Sequence, residues 1–289
     1  MTWLLYILVG VLAYSGYYTL SRVFLKQKTS DPVTYAILFN IVCTVLVGIL
    51  ALSQGFELVD VGRYLPNLLA MGVIYAFAQV FIFKASKLTE ASEVIIISST
   101  RIVWAIAAAV LLLGETFTIK KSLGAALVMM AVTLVAYKKT SKKKGKTSKD
   151  VSKGRLYALL AGAILGVGFV NDSYILQNSD ATSYAAIVFF LPTILTIAIY
   201  RPSVKSLKKQ INKRSIIQSS ILGIFYAVGI VASYGAYQSG GDASQIVPMG
   251  QSVVVITVLL SIIFLSERDN LPRKILGSVI VTLGVILLT

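Results

Sequence analysis

Apolar residues dominate the chain in long runs, and polar residues are confined to short breaks between them. Ten such runs can be marked, at Thr2–Val23, Val33–Leu52, Leu65–Phe83, Ser92–Leu113, Leu123–Tyr137, Leu156–Leu176, Tyr184–Tyr200, Ile216–Ala236, Ser244–Leu265 and Lys274–Leu288. A helix needs about 20 residues to cross a hydrocarbon layer roughly 30 Å thick, and most of the runs approach that length. Backbone groups left unpaired in lipid are costly, so each run predicts a helix. Continuous apolar runs without alternation exclude a membrane β-barrel, whose strands alternate over about ten residues. The expected fold class is an all-α integral membrane protein with ten transmembrane helices. The first run starts near Trp3 without a basic leader and reads as a retained span rather than a signal peptide.

The longest polar interruption, KKTSKKKGKTSKDVSKGR at 138–155, carries nine cations and almost nothing apolar. It reads as a solvated linker, with five runs before it and five after. A shift of 152 residues places Gly10 on Gly162, Gly16 on Gly168, Tyr17 on Phe169, Ala91-Ser92 on Ala243-Ser244, Leu113 on Leu265 and Glu115 on Glu267. Slightly different shifts align Thr34-Tyr35-Ala36 with Ser183-Tyr184-Ala185, and Gly124 with Gly277. The organisation expected is a first five-helix repeat over 1–137, the basic linker at 138–155, and a second five-helix repeat over 156–289. A five-span unit ends on the face opposite its start, so the second copy enters the membrane inverted. Inverted repeats have two pseudo-equivalent packings, and exchanging them exposes a central site to each side in turn.

Composition narrows the class further. With 13% charged residues and 56% hydrophobic ones, the chain lacks the polar surface of a soluble domain. Its 27 Lys and Arg outnumber 12 Asp and Glu, yet they cluster in the short connections, which speaks for topology and anionic headgroups rather than nucleic acid. Of these cations, 23 fall on the linker side of the predicted spans, which places the linker in the cytoplasm of a multi-pass plasma-membrane protein. There is no His and a single Cys, Cys43, so no metal site, cofactor or intramolecular disulfide is expected. No G-x-x-x-x-G-K-[ST] sequence occurs, so direct ATP coupling would need a partner chain.

Two charged residues, Arg101 and Asp172, are the strong candidates for positions at depth inside runs. Burying the guanidinium of Arg101 in hydrocarbon costs at least about 2.5 kcal/mol, so it should face the bundle interior. There it is a candidate binding group for a carboxylate or phosphate; the alternatives are a structural ion pair or a side chain reaching to headgroups. Asp172, beside Asn171, is a candidate proton-coupling carboxylate or counter-ion of Arg101, unless it lies in water at a helix end. Aromatic and amide residues recur within runs, and Tyr14, Asn40, Tyr75, Gln79 and Gln251 are candidate substrate-binding residues, since a ring supplies area and its hydroxyl direction. Glu115 and Glu267 follow the fourth and ninth runs and read as structural, capping the next helix or pairing with its cations. Gly162, Gly166 and Gly168 form a small-residue face for close helix packing.

The repeat, the ten runs and the paired endings LLLGE and FLSER, followed by Gly124 and Gly277, resemble the EamA family of the drug/metabolite transporter superfamily. The resemblance implies a central cavity lined by the first, third and fourth helices and their symmetry mates, and export or exchange of amino acids or other metabolites. The short multidrug exporters of that superfamily carry a Glu in the first helix. Here that helix has Tyr14 and no acid, which disfavours drug–proton exchange by their mechanism. The function expected is a secondary transporter or facilitator of a small polar metabolite, working as an exporter by alternating access. A carrier or flippase of an anionic lipid-linked substrate is the alternative within transport. A membrane-embedded transferase is the alternative enzyme class, for which no catalytic cluster is present. Expected partners are the small-molecule substrate, anionic lipid headgroups at the basic loops and, as an option left open, a second copy of the chain in a homodimer.

Overall fold

The structure, a computed structural model, describes residues 2–27, 30–113, 118–136, 148–176, 178–239, 249–250, 252–267 and 270–288. These residues form helices and the connections between them, with no strand. The helices are α1 (Thr2–Leu25), α2 (Pro32–Gln54), α3 (Val61–Leu88), α4 (Ala91–Ser98), α5 (Arg101–Leu113) and α6 (Ile119–Ala136) in the first half. The second half holds α7 (Ser148–Leu176), α8 (Ala181–Tyr200), the short α9 (Val204–Gln210), α10 (Lys213–Gln238), α11 (Ser252–Leu265) and α12 (Leu271–Leu288). Seven helical stretches are long and apolar enough to cross a membrane, and Ser122–Val135 and Ser252–Leu265 are shorter apolar helices. The chain is thus a multi-pass membrane protein.

Acidic residues start several helices. The carboxylates of Asp31, Asp60 and Asp180 accept from the backbone N–H of Thr34 (2.9 Å), Arg63 (3.1 Å) and Ser183 (2.7 Å), satisfying donors that the first helical turn leaves free. Gly55 ends α2 in the left-handed region at φ 91°, where a side chain would be strained.

The densest packing joins the two halves: α1 lies against α10, α3 against α7, α2 against α8, and α6 against α12. Hydrogen bonds mark the two ends of the bundle. Asn67 bonds Asn171 (2.8 Å) and Asn178 bonds the Tyr64 hydroxyl (3.2 Å) at the end holding the α7–α8 loop. Arg155 at the start of α7 bonds Glu93 at the start of α4 (2.8 Å) at the opposite end, where the linker attaches.

Two features depart from the expected segments. The fourth run is one span by length, yet its helix is interrupted between Ser98 and Arg101. Three consecutive hydroxyls there turn back onto helix carbonyls: Ser98 and Ser99 donate to Ile95 O (3.2 and 2.8 Å) and Thr100 donates to Ile97 O (2.9 Å). These bonds compete with the helical ladder and loosen it. The bend is seated on the glycine face of α7: a Cβ on Gly162 would come 2.5 Å from Thr100 Oγ1 and 3.0 Å from Ser98 O. The second departure is that α7 begins at Ser148, so 148–155 extends a helix rather than the linker. Arg155 explains this, because its bonds to Glu93 hold the first turns of α7 against α4.

Candidate functional site

A cavity of about 510 Å³ lies between the halves. The first half contributes Ile7, Val11, Tyr14, Tyr17 and Tyr18 from α1, Asn40 from α2, Tyr75 and Gln79 from α3, and Arg101 from α5. The second half contributes Leu165, Phe169, Asp172 and Leu176 from α7, Tyr184 and Phe189 from α8, Tyr226, Ile230 and Ser233 from α10, and Gly250 and Val253. Arg101, Tyr14, Asn40, Tyr75, Gln79 and Asp172 are therefore brought to one space, although they are up to 158 positions apart in the chain. Gln251 and Glu115 lie outside the described residues, as do positions 138–147 of the basic linker.

Arg101 is the first residue of α5, so the break in the span puts a cation at the start of a helix that faces the cavity. Its Nη1 donates to the Tyr18 hydroxyl at 3.4 Å and its guanidinium lies 5.7 Å from the centre of the Phe169 ring. Both contacts leave most of its five N–H donors for another group. It forms no ion pair with Asp172 among the described residues. Asp172 accepts instead from two phenols, the Tyr75 hydroxyl on Oδ2 and the Tyr184 hydroxyl on Oδ1 (2.6 Å).

Gln79 Nε2 donates to the Tyr17 hydroxyl (2.8 Å), which fixes the amide beside a stack of rings. In that stack Tyr226 meets Tyr17 at 4.9 Å, Tyr14 at 5.3 Å and Phe39 at 5.3 Å between centroids, all edge to face, an arrangement that holds rigid apolar walls. Asn40 is 3% exposed and its Nδ2 has no hydrogen-bond partner. A buried donor without a partner is costly, so a native site that keeps one has a use for it. Trp104, by contrast, is 45% exposed and stands outside the cavity lining.

The nine described carboxylates divide by task. Asp31, Asp60 and Asp180 cap helices; Glu90, Glu93 and Glu267 are ion-paired; Glu57 is in a loop and Asp150 in the first turn of α7. Asp172 is the remaining one, and it lines the cavity.

The ion pairs gather at the linker end. Arg22 Nε lies 3.3 Å from Glu267, Arg155 lies 2.8 Å from Glu93, and Lys274 contacts Glu90. Glu267 also accepts from Ala91 N (3.4 Å) and Ser92 Oγ (3.4 Å), while Lys274 donates to the Glu267 carbonyl (2.9 Å). Glu267 thus serves the packing of α1, α4 and α12, with Arg22 on its carboxylate. Reading along the chain missed Glu90, Glu93, Arg22 and Arg155 because each stands at the edge of a run, where charge is ordinary. It also left Tyr17, Tyr18, Phe169, Tyr184 and Tyr226 unranked among many membrane aromatics. The repeat held a usable signal, since Tyr17 falls on Phe169 and Tyr35 on Tyr184.

An all-helical bundle enclosing a polar, aromatic-lined cavity within its spans defines a membrane protein that handles a small solute. The chain belongs to the EamA-like transporter family, whose model matches residues 1–137 and 152–289. Members of this family, part of the drug/metabolite transporter superfamily, are membrane transporters of small solutes and not enzymes. A solved crystal structure at 16% identity covers 99% of this chain and 95% of its own with a TM-score of 0.63, a likeness of fold alone. No curated protein sequence matches the chain.

Proposed function

We propose that this chain is a secondary transporter or facilitator that exports a small polar metabolite, an amino acid or related organic solute, by alternating access. Ten spans form two inverted five-helix repeats in the plasma membrane, with the basic linker in the cytoplasm. One observation carries the reading: every buried ion pair among the described residues joins the first half to the second, and all three lie at the linker end. The cavity, meanwhile, is lined by the halves of α7, α8 and α10 remote from that end and by the middle stretches of α1 and α3. A site closed on one side by contacts between the repeats is the arrangement that a rocking of one repeat against the other would invert. The packing supports the pseudo-twofold axis too, because the shift by 152 residues turns the α1–α10 contact into the α3–α7 contact.

Arg101 binds the anionic group of the solute, Asn40 Nδ2 and Gln79 give hydrogen bonds, and the rings of Tyr14, Tyr17 and Tyr226 cover its apolar part. Uptake of labelled amino acids, organic acids, nucleosides and phosphorylated metabolites into proteoliposomes tests this. Wild-type protein should move at least one anionic or zwitterionic solute. An Arg101→Gln variant of equal thermal stability should lose that flux by about tenfold or more, as expected when a charged hydrogen bond worth about 1.5–3 kcal/mol is removed. Equal flux of that solute in both proteins would refute the role given to Arg101.

A further inference from the structure

The cavity holds a second ionisable group that binding of an anion does not use. We propose that Asp172 is a proton-binding site that couples solute movement to a proton gradient, an inference that rests on the transport reading above. The carboxylate lies in the cavity, reached by Tyr75 from near the middle of α3, and no cation pairs with it among the described residues. An ionised carboxylate at membrane depth needs a positive partner or a proton before the surrounding helices can close over it. Its hydrogen-bond partners are two phenols, each able to donate or to accept, so the same pair can hold either the carboxylate or the neutral acid.

A metal cation fits the site poorly. Hard cations gather roughly six or more oxygen ligands, whereas Asp172 offers one carboxylate and the hydrogen-bonded hydroxyls of Tyr75 and Tyr184. No cluster of metal-binding side chains occurs among the described residues. Tyr75 from α3 and Tyr184 from α8 bond Asp172; the other titratable side chains lining the cavity are Tyr14, Tyr17 and Tyr18 from α1, Arg101 from α5 and Tyr226 from α10, while the acid of α4, Glu93, is held by Arg155 at the far end of the bundle.

The step is a transfer of one proton. Water at the face to which the cavity is open gives a proton to a carboxylate oxygen, and the resulting O–H must donate to one of the phenols. That phenol turns its own hydrogen away. Tyr75 belongs to the first half of the chain and Asp172 and Tyr184 to the second, so the reversal occurs on the seam along which the halves move. The seam closes over a neutral group, and the proton leaves to water once the cavity opens at the other face.

Two measurements decide the proposal. In the first, infrared spectra of the purified chain in lipid discs are followed during acidification. A protonated-carboxyl band should appear in the difference between wild type and Asp172→Asn, and Tyr75→Phe should shift its midpoint while Tyr64→Phe does not. In the second, proteoliposomes under an imposed pH gradient should accumulate a zwitterionic solute of no net charge about tenfold per pH unit for each proton moved. Asp172→Asn should make flux indifferent to the gradient at whatever rate it retains. Absence of any such difference band, or wild-type accumulation that ignores the gradient, overturns the proposal. If no solute in the panel moves, the transport reading fails, while the infrared titration still reports separately whether Asp172 takes up a proton.

Discussion

Asn40 shows how a single residue separates stability from function. Its buried Nδ2 donor has no partner, so Asn40→Leu, which keeps the branched shape and removes the donor, leaves the protein at least as stable in thermal unfolding. The same change removes a hydrogen bond offered to the solute, and KM should rise about fivefold to tenfold, equivalent to about 1–1.5 kcal/mol. An unchanged KM would mean that the solute does not reach Asn40. Arg101 and Asp172 were legible as exceptional in the sequence because charge inside an apolar run is rare. Which partners they take was not legible: Tyr18, Phe169, Tyr75 and Tyr184 lie on α1, α7, α3 and α8, and nothing along the chain sets their distances.

At the scale of the element, the interrupted span α4–α5 and the glycine face of α7 form one unit. The break places Arg101 at the head of α5, and it survives because Gly162 and Gly166 let backbone approach backbone. A Cβ on Gly166 would come 2.6 Å from Trp104 Cβ and 2.8 Å from Ala105 N. Those are main-chain or first-carbon atoms that cannot swing aside. Gly166→Ala should therefore lower stability by about 1–3 kcal/mol, read from thermal unfolding in detergent, and raise KM as Arg101 moves. Gly48→Ala is the control, since an added Cβ there meets nothing within 4 Å. The small-residue face was visible in the sequence, but the break it accommodates was not. Serine and threonine end many helices without interrupting spans, and only the close fit against α7 makes the interruption stable.

For the whole molecule, the linker-end ion pairs hold the halves together on one side. Removing one partner of a buried pair leaves the other uncompensated, at a cost of about 3–5 kcal/mol. Glu267→Gln should thus weaken closure at the linker end, and the joint exchange Arg22→Glu with Glu267→Arg should restore part of it. A cysteine at Ala91, 1% exposed beneath the Arg22–Glu267 pair, reports the change. It should resist a water-soluble maleimide in the parent chain and react faster in the Glu267→Gln background. The native Cys43 is fully buried and adds little signal. Equal labelling rates in both backgrounds would show that the pairs do not govern access from that side.

Hydrophobic length and absence of alternation were enough to determine an all-helical membrane protein, while the repeat and its paired endings carried the resemblance to the EamA family that the family match shows. Each of these is a property of single segments or of their order, and lipid leaves an apolar segment few alternatives to a helix. The cavity, the phenol pair on Asp172 and the ion pairs between halves were decided only by the tertiary structure. They depend on which faces of distant helices meet, and that choice comes from side-chain packing across the two halves rather than from any one segment's pattern.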